Sequence, residues 1–361
     1  MATFTGTLNS NEIFAALFNM IISQQVFTDN IASAGSELVD SARVDGTLYG
    51  DTKLYYSTDT LISVPWGNDE ESENLLKTYR PSGPKCQAIT LDTFRQISLT
   101  VDNYLSKRAW GSEGAFSSFN NVMLGWIGET KKIYDASTYN AYLGTAKSPV
   151  AAQNIEIDVT TETSGLTGED KARVEAETIA QGIADLIVNI TDLSRDYNDY
   201  GFLRAFNKDK LKFVYNAKIV NKITKRDLPS LYHKDIFDSF SSTLPARYFG
   251  NINTSEKTGD GATIRSLIEQ ELTGSDGKSY HVFAGELIPS VCKATANTSY
   301  TVDENMLCKI YYEGSVPFMS AFEAETSFFN PKSLTENKYL TWGHNTLAYL
   351  ENYPFITVKI K

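Results

Sequence analysis

The segment GAFSSFNNVMLGWIGETKKIYDASTYNAYLG at residues 114–144 predicts one long amphipathic helix. Apolar side chains recur in it at steps of three and four residues, so one face of the helix is apolar along its whole length. A helix of this length spans about 45 Å. It carries no residue pattern that indicates catalysis. The sequence of this helix therefore indicates a large surface for packing and no catalytic site.

The apolar face of this helix is expected to be buried within the folded chain. Two glycines interrupt it, and Gly125 and Gly128 each cost about 1 kcal/mol relative to alanine in a helix. We therefore expect this part of the helix to pack closely against another backbone. The predicted helix core consists of Phe116, Phe119, Met123, Trp126 and Ile127.

Residues 47–95 predict a long two-stranded excursion from the body of the chain. The outgoing arm TKLYYSTDTLISVPW is rich in strand-forming residues, and RQISLTVDNYL on the returning side alternates apolar and polar positions. An acidic tip with prolines separates the arms. An isolated two-stranded ribbon is marginally stable in water, so we expect this region to make most of its contacts with another surface. The candidate contact residues are Tyr55, Trp66, Tyr79 and Arg80.

Four further segments have clear periodicity. Residues 9–30 predict an amphipathic helix. Residues 168–189 predict another, and its start at Thr167 resembles a capping box with Asp170 at the third position. Residues 210–223 alternate apolar and lysine side chains, which predicts one strand. Alternating apolar residues also predict a closing strand, at Ile356, Val358 and Ile360.

The composition offers little to catalysis or to broad nucleic-acid binding. A formal net charge of −11 opposes phosphate binding over the whole surface. The three cysteines and three histidines lack the spacing of a disulfide framework or a zinc site. No phosphate-binding glycine motif or nucleophile elbow is present. We therefore predict no catalytic residue, no metal ligand, no cofactor-binding residue and no cofactor.

Two features bear on location and partners. The N-terminal sequence lacks a signal-peptide pattern, and the apolar run at residues 13–22 is too short to cross a membrane.

One basic stretch, at residues 204–226, lies within this acidic chain. It could face a packaged polyanion or an acidic neighbour, or it could be a solvated strand face in which lysines oppose edge pairing. The second interpretation is favoured.

The order of these parts resembles that of the major capsid proteins of tailed bacteriophages, which have the Hong Kong 97-type capsid fold. GSELVDSARVDGTLYGDTKLYY is similar to the arm that leads into their extended loop, and ITLDTFRQISLTVDNYLSKRAW to the strand that returns from it before the spine helix. LKFVYNAKIVNKI resembles a central strand of their axial domain, and FFNPKSLTENKYLTWGHNTLAYLENYPFITVKI their closing segment. The resemblance covers essentially the whole chain.

This resemblance implies an α+β fold in five parts. They are an N-terminal arm (1–46), an extended hairpin loop (47–95), a peripheral domain with the long spine helix (96–150), a mainly axial domain (151–310) and a closing peripheral-domain segment (311–361). No region resembles a fused scaffolding segment. We therefore expect any scaffold to be a separate protein.

The resemblance further implies a structural, non-enzymatic role in which the chain self-assembles as pentamers and hexamers into an icosahedral shell around the phage genome. It implies a place in the virion capsid after assembly in the host cytoplasm. The implied partners are copies of the chain, possible separate scaffolding, portal and decoration proteins, and weak contact with packaged double-stranded DNA, but no membrane. Two alternatives stay open: an encapsulin-type nanocompartment shell protein and, less favoured, an α+β enzyme whose site forms only in three dimensions.

Overall fold

The computed structural model of the chain describes residues 37–46, 50–63, 78, 80–81, 83–102, 113–224, 241–259 and 263–361. For residues 102, 113–124, 222–224, 241 and 322 it describes the backbone alone. The predicted helix at 9–30 and most of the tip of the predicted hairpin lie outside the described residues.

The helices of the described chain are α1 (Glu37–Ala42), α2 (Glu113–Thr145), α3 (Gly168–Thr191) and α4 (Ala217–Thr224). The strands before α4 are β1 (Arg43–Asp45), β2 (Thr52–Ser57), β3 (Lys85–Asp102), β4 (Asn154–Ile157) and β5 (Leu211–Asn216). After α4 come β6 (Ser241–Leu244), β7 (Gly250–Ile252), β8 (Lys257–Thr258), β9 (Ile264–Ser266), β10 (Gln270–Thr273), β11 (Ser279–Val282), β12 (Lys293–Ala294), β13 (Ser299–Val302), β14 (Met306–Tyr312), β15 (Phe318–Asn330), β16 (Thr335–Asn345) and β17 (Phe355–Ile360). Short 3-10 turns occupy Ala151–Gln153, Lys208–Lys210 and Ala246–Tyr248.

The chain divides into two compact units. The described part of the smaller unit lies within Phe94–Ile133 and Glu323–Trp342. The larger unit comprises Ser36–Thr93, Tyr134–Phe322 and Gly343–Lys361.

A five-stranded sheet with the order β4-β17-β14-β5-β6 forms the centre of the larger unit. Strand β14 pairs antiparallel with β17 and with β5, whereas β4 pairs with β17 and β6 pairs with β5 in parallel. All residues of β14 from Met306 to Tyr311 are buried. Such a strand requires cover on both faces of its sheet.

Two helices provide this cover. Buried side chains of α3, among them Ile183, cluster with Phe213 of β5 on one face of the sheet. On the other face, Val214 of β5 clusters with Tyr139 and Leu143 of α2. Alternate residues of β5 therefore enter opposite cores, as the two-residue period of a strand requires.

Helix α2 ends where it meets the backbone of the 3-10 turn at residue 248. A Cβ atom placed on Gly144 would lie 2.1 Å from the carbonyl oxygen of Tyr248 and 2.6 Å from its carbonyl carbon. These distances are far below van der Waals contact, so this position of the helix accepts glycine alone.

A lysine lies fully buried in the central sheet. The Nζ atom of Lys309 in β14 donates to the carbonyl oxygen of Ala146 at 2.6 Å and to Thr357 Oγ1 at 2.8 Å. Burial lowers the pKa of Lys309 well below its ordinary value of 10.5, and the charges of Lys147 and Lys359 lower it further. The amine is therefore held by hydrogen bonds in surroundings that favour its neutral form.

A second five-stranded sheet has the order β1-β15-β16-β3-β2, with β1 parallel to the start of β15. Within the smaller unit, Gln96 Nε2 of β3 donates to Thr341 Oγ1 of β16 at 3.0 Å. Lys131 of α2 forms an ion pair with Glu323 of β15 at 2.5 Å. Side-chain contacts thus join the helix and strands of this unit.

Residues 244–302 of the larger unit form a small β region. It contains the three-stranded sheet β7-β13-β9 and the two-stranded ribbons β10-β11 and β12-β8. Its own apolar cluster consists of Ile264, Ile288, Cys292 and Ala294. These strand pairs were not predicted from the sequence.

The long helix predicted at 114–144 is confirmed as Glu113–Thr145. Its predicted core is only partly correct, because Ile127 is 6% exposed whereas Trp126 is 44% exposed. Adjacent residues of a helix point about 100° apart, so the face that buries Ile127 leaves Trp126 at its edge. The remaining core residues, Phe116, Phe119 and Met123, lie outside the described side chains and stay predictions.

Among the described residues, no atom lies within 4 Å of a Cβ placed on Gly125 or Gly128. The close packing predicted there has no partner in the described part of the chain and stays a prediction. A close approach is present at Gly144, near the other end of the helix.

The strand predicted at 210–223 ends at Asn216, and the remainder forms α4. Asn216 Oδ1 accepts a hydrogen bond from the backbone N–H of Lys218 at 3.1 Å, as an N-cap side chain does.

The favoured interpretation of the basic stretch at 204–226, a solvated strand face whose lysines oppose edge pairing, is also wrong, because β5 lies between β14 and β6 and is not an edge strand. Its Lys212 pairs instead with Glu313 at 3.4 Å.

Two other predicted elements are confirmed with one correction. Helix α3 matches the prediction at 168–189, and β17 matches the closing strand. Thr167 is the N-cap residue of α3, but its side chain makes no capping hydrogen bond. The predicted capping box is therefore wrong.

Candidate subunit-contact surface

The outgoing arm of the predicted hairpin is a strand over Thr52–Ser57, but its returning partner is the segment at 85–90 and not the predicted segment at 95–105. Strand β2 pairs antiparallel with the first part of β3, with Tyr55 opposite Gln87 and Ser57 opposite Lys85. The side chains of β2 alternate in exposure, as expected for a ribbon with one covered face.

The exposed face of β2 is apolar. Leu54 is 52% exposed and Tyr56 is 68% exposed, whereas Tyr55 points to the half-buried face. Burial, followed by the neighbouring Tyr353, raises the pKa of Tyr55 above its ordinary value of 10.0. The side chains on this strand that are best placed to meet another molecule are therefore Leu54 and Tyr56.

The apolar surface continues beyond β2. Leu61 is 77% exposed and Ile62 is 93% exposed. Two adjacent apolar side chains with so little cover are unusual on a monomer and indicate a contact site. In the sequence these two residues belong to the apolar run LISVPW at 61–66, of which only Trp66 was predicted as a contact residue.

The four contact residues predicted from sequence are only partly described. Tyr55 is half-buried and Arg80 is exposed, and no hydrogen bond joins these two side chains. Trp66 and Tyr79 lie outside the described residues. The role of all four in contacts therefore stays a prediction.

A carboxylate fixes the base of the outgoing arm. Asp59 forms an ion pair with Arg195 at 2.8 Å and accepts hydrogen bonds from the backbone N–H groups of Thr60 at 2.8 Å and Leu203 at 3.0 Å. Arg204 also donates to the carbonyl oxygen of Thr58. We call the contacts of Asp59 with Arg195 and Leu203 the Asp59 clamp.

The base of the returning arm is held separately. Gln87 Nε2 donates to the carbonyl oxygen of Tyr349, and Gln87 Oε1 accepts from the backbone N–H of Glu351, both at 2.9 Å. Lys85 Nζ lies 4.7 Å from the ring centroid of Tyr200, a cation–π distance. Both arms are thus fixed to the rest of the larger unit, and the exposed Leu61 and Ile62 lie beyond the fixed point on the outgoing arm.

The Asp59 clamp leads to a testable prediction. The hydrogen bond from Arg195 is the largest cause that holds the pKa of Asp59 well below its ordinary value of 3.8, and the backbone donors add to it. A carboxylate with a lowered pKa stabilises the fold above its ordinary pKa, and the effect is lost as the pH falls below about 3.8. Asp59→Asn should therefore increase amide hydrogen exchange at Thr60 and Leu203, whose N–H groups donate to this carboxylate, by at least about tenfold at pH 7.

Asp158→Asn is the matched control, because Asp158 accepts similar bonds from Thr160 and Thr161 far from the hairpin. This control should leave exchange at the two amides that donate to Asp59 unchanged. Equal exchange in Asp59→Asn and the wild type at neutral pH would contradict a role for the clamp.

The described residues offer little chemistry elsewhere. They contain no group of three or more His, Cys, Asp or Glu side chains arranged to hold a metal ion. Burial raises the pKa of the thiols of Cys292 and Cys308, which favours the unreactive protonated form. No helix within the described ranges is long and apolar enough to span a membrane.

Comparison with known proteins identifies the fold. No family model matches the chain, and no curated protein matches its sequence. A chain in the capsid structure of Staphylococcus phage Andhra superimposes with a TM-score of 0.63 at 11% identity, over 93% of this chain and 87% of that one. The chain has the fold of a phage capsid chain.

A second solved structure agrees. A chain in the structure of the head fiber and inner core protein of native bacteriophage P68 matches with a TM-score of 0.62 at 10% identity, again over 93% of this chain and 87% of that one. The predicted α+β fold is confirmed, and its likeness to capsid chains is consistent with the Hong Kong 97 type. At such low identity the likeness lies in the backbone, which agrees with the absence of a matching sequence family.

Proposed function

We propose that this chain is the major capsid protein of a tailed phage, a structural protein whose copies form an icosahedral shell around the genome. The observation that carries the proposal is the capsid-chain fold over 93% of the chain. The exposed apolar arm of the hairpin supports it, because a subunit that repeats around a closed shell needs surfaces that only neighbouring copies cover. A shell gains its stability from many modest contacts of this kind.

Electron microscopy and size-exclusion chromatography of the purified protein test the proposal. We expect pentamers, hexamers or closed shells. A stable monomer that turns over a small molecule would favour the enzyme alternative. Shells that enclose a protein cargo and never DNA would favour the encapsulin-type alternative.

Finer features of this function are part of the same proposal. Separate scaffolding, portal and decoration proteins are proposed partners, and assembly is proposed to take place in the host cytoplasm before the chain becomes part of the virion capsid. Contact with packaged double-stranded DNA is proposed to be weak, since an acidic chain with a net charge of −11 does not favour phosphate. The five-part division predicted from the sequence is proposed as the domain organisation.

The hairpin arm provides a sharper test. The double variant Leu61→Asp/Ile62→Asp should fold like the wild type, because side chains that are 77% and 93% exposed contribute little to the fold. Its free energy of unfolding should change by less than about 0.5 kcal/mol. The same variant should fail to form shells, because a charge buried at a contact without a partner is costly.

Val188→Asp is the matched control, since Val188 is 65% exposed on α3, outside the hairpin. It should assemble normally. Normal shells from the Leu61→Asp/Ile62→Asp variant would show that this arm is not a contact. Circular dichroism and light scattering would measure folding and assembly separately.

A further inference from the structure

Two arginines in the β region at 244–302 border the same tyrosine ring. The Cζ atom of Arg247 lies 4.8 Å from the ring centroid of Tyr248, and Arg247 Nη2 donates to Tyr248 Oη at 3.0 Å. Arg265 Nη1 donates to the carbonyl oxygen of Gly285 at 2.8 Å. Gly285 lies against the same ring, because a Cβ there would be 2.6 Å from Tyr248 Cε1.

A second, fully buried tyrosine fixes the positions of both arginines. Tyr300 Oη donates to the carbonyl oxygen of Arg247 at 2.7 Å, and Tyr300 lies directly opposite Arg265 in the pairing of β13 with β9. The two arginines are therefore placed by the sheet and by buried side chains. We call them the Arg247–Arg265 pair.

Within the described residues, no carboxylate forms an ion pair with either guanidinium of this pair. The buried Nε of Arg265 likewise has no hydrogen-bond acceptor among them. Burial is the largest cause that lowers the pKa of Arg265, and the positive charge of Arg247 adds to it. Two neighbouring cations without a carboxylate partner among the described residues favour the approach of an anion.

We propose that the Arg247–Arg265 pair binds a carboxylate side chain from a second copy of this chain, an inference that rests on the proposed function. The guanidinium group is planar and presents paired donors that fit an oxyanion with two oxygens. Arg247 is exposed, so the site is open to a partner from its side. A neighbouring copy is rich in suitable groups, since the chain has 44 acidic residues against 33 basic ones.

A phosphate of nucleic acid has the same oxyanion chemistry, but the observations favour the carboxylate. Binding of a DNA backbone rests on many phosphate contacts along a basic surface. The Arg247–Arg265 pair is instead an isolated site in an acidic chain, set among buried tyrosines. One fixed site of this kind suits one specific ion pair between subunits.

The first experiment uses inorganic phosphate as the probe on wild-type subunits held below the concentration at which they assemble. Phosphate should raise the melting temperature of the wild type and should have at least about tenfold weaker affinity for Arg247→Gln. Arg173→Gln is the matched control, because Arg173 is an exposed arginine that already faces Glu177 at 3.8 Å. Equal phosphate affinity in Arg247→Gln and the wild type would overturn the site.

The second experiment measures the lowest subunit concentration that assembles. We expect Arg247→Gln to raise it at least about tenfold and Arg265→Lys to raise it as well, because lysine keeps the charge but loses the paired donors. Phosphate should inhibit assembly of the wild type but not of Arg247→Gln. Circular dichroism and melting temperature identify any variant that fails to fold, and Arg247→Gln keeps the bond between Arg265 and Gly285 in place.

The remaining outcomes separate this inference from the proposed function. Normal assembly of both variants, together with loss of DNA affinity, would assign the pair to nucleic acid and overturn the proposal. If the wild type never assembles, the proposed function fails, and with it the second copy as the source of the carboxylate. The phosphate experiment would still decide whether the pair binds an oxyanion.

Discussion

Gly144→Ala is expected to abolish a stable subunit. The added Cβ would lie 2.1 Å from the carbonyl oxygen of Tyr248 and 3.2 Å from the backbone nitrogen of Phe249. Neither atom can move aside cheaply, because hydrogen bonds close the turn from Tyr248 N to Pro245 O at 3.1 Å and from Phe249 N to Ala246 O at 3.2 Å. We expect a loss of at least about 3 kcal/mol in the free energy of unfolding.

Gly125→Ala on the same helix is the matched control and should have the opposite effect. No described atom lies within 4 Å of the added methyl group, so the better helix propensity of alanine should stabilise the subunit by about 0.5–1 kcal/mol. Soluble yield and urea denaturation measure both variants. A Gly144→Ala subunit with the stability of the wild type would mean that the helix does not approach residue 248 so closely.

Lys309→Met is expected to remove a large pH dependence of stability. The folded state lowers the pKa of Lys309, so between that lowered pKa and 10.5 the unfolded state binds more protons. Stability of the wild type must then rise with pH, from the lowered pKa of the folded state up to the ordinary value of 10.5. One such group changes the free energy of unfolding by up to about 1.4 kcal/mol per pH unit.

The wild type should therefore gain stability relative to Lys309→Met as the pH rises toward 10.5, and the difference in the free energy of unfolding between them should change in that direction. Urea denaturation at several pH values measures it. Lys212→Met serves as the control, because Lys212 is 43% exposed beside Glu313 in the same sheet. Parallel pH curves for Lys309→Met and the wild type would show that the buried amine stays charged.

Local sequence periodicity predicted the single elements well. The long helix and α3 follow from the spacing of their apolar side chains, because a helix that must bury one face needs that spacing. The closing strand and the later part of β3 follow from alternation in the same way, whereas the part of β3 that pairs with β2 was not predicted. Where a short polar residue interrupts the pattern, periodicity fails: Asn216 ends β5 and caps α4, although lysines continue at regular steps on both sides.

Contacts between distant segments could not be predicted from the sequence. Gly125 and Gly144 are equivalent in a sequence pattern, and only the presence of Tyr248 beside one of them makes them differ. Trp126 and Ile127 are both apolar, but adjacent side chains of a helix point in different directions. The helix buries the side of Ile127 and leaves that of Trp126 partly exposed. The Asp59 clamp joins residues more than a hundred positions apart, so no local pattern contains it.

The position of β17 determines when this protein can fold. The strand lies between β14 and β4, and residue Thr357 pairs with Asn154, some two hundred positions earlier in the chain. During synthesis on the ribosome the central sheet therefore stays open until residues 355–360 have been made, and pairing over such separations is slow. Until then the apolar faces of α3 and β5 have no complete sheet to cover, which exposes the nascent chain to aggregation. A subunit therefore cannot complete its central sheet before residue 360 has been made, and it can meet another subunit in its folded form only after that point.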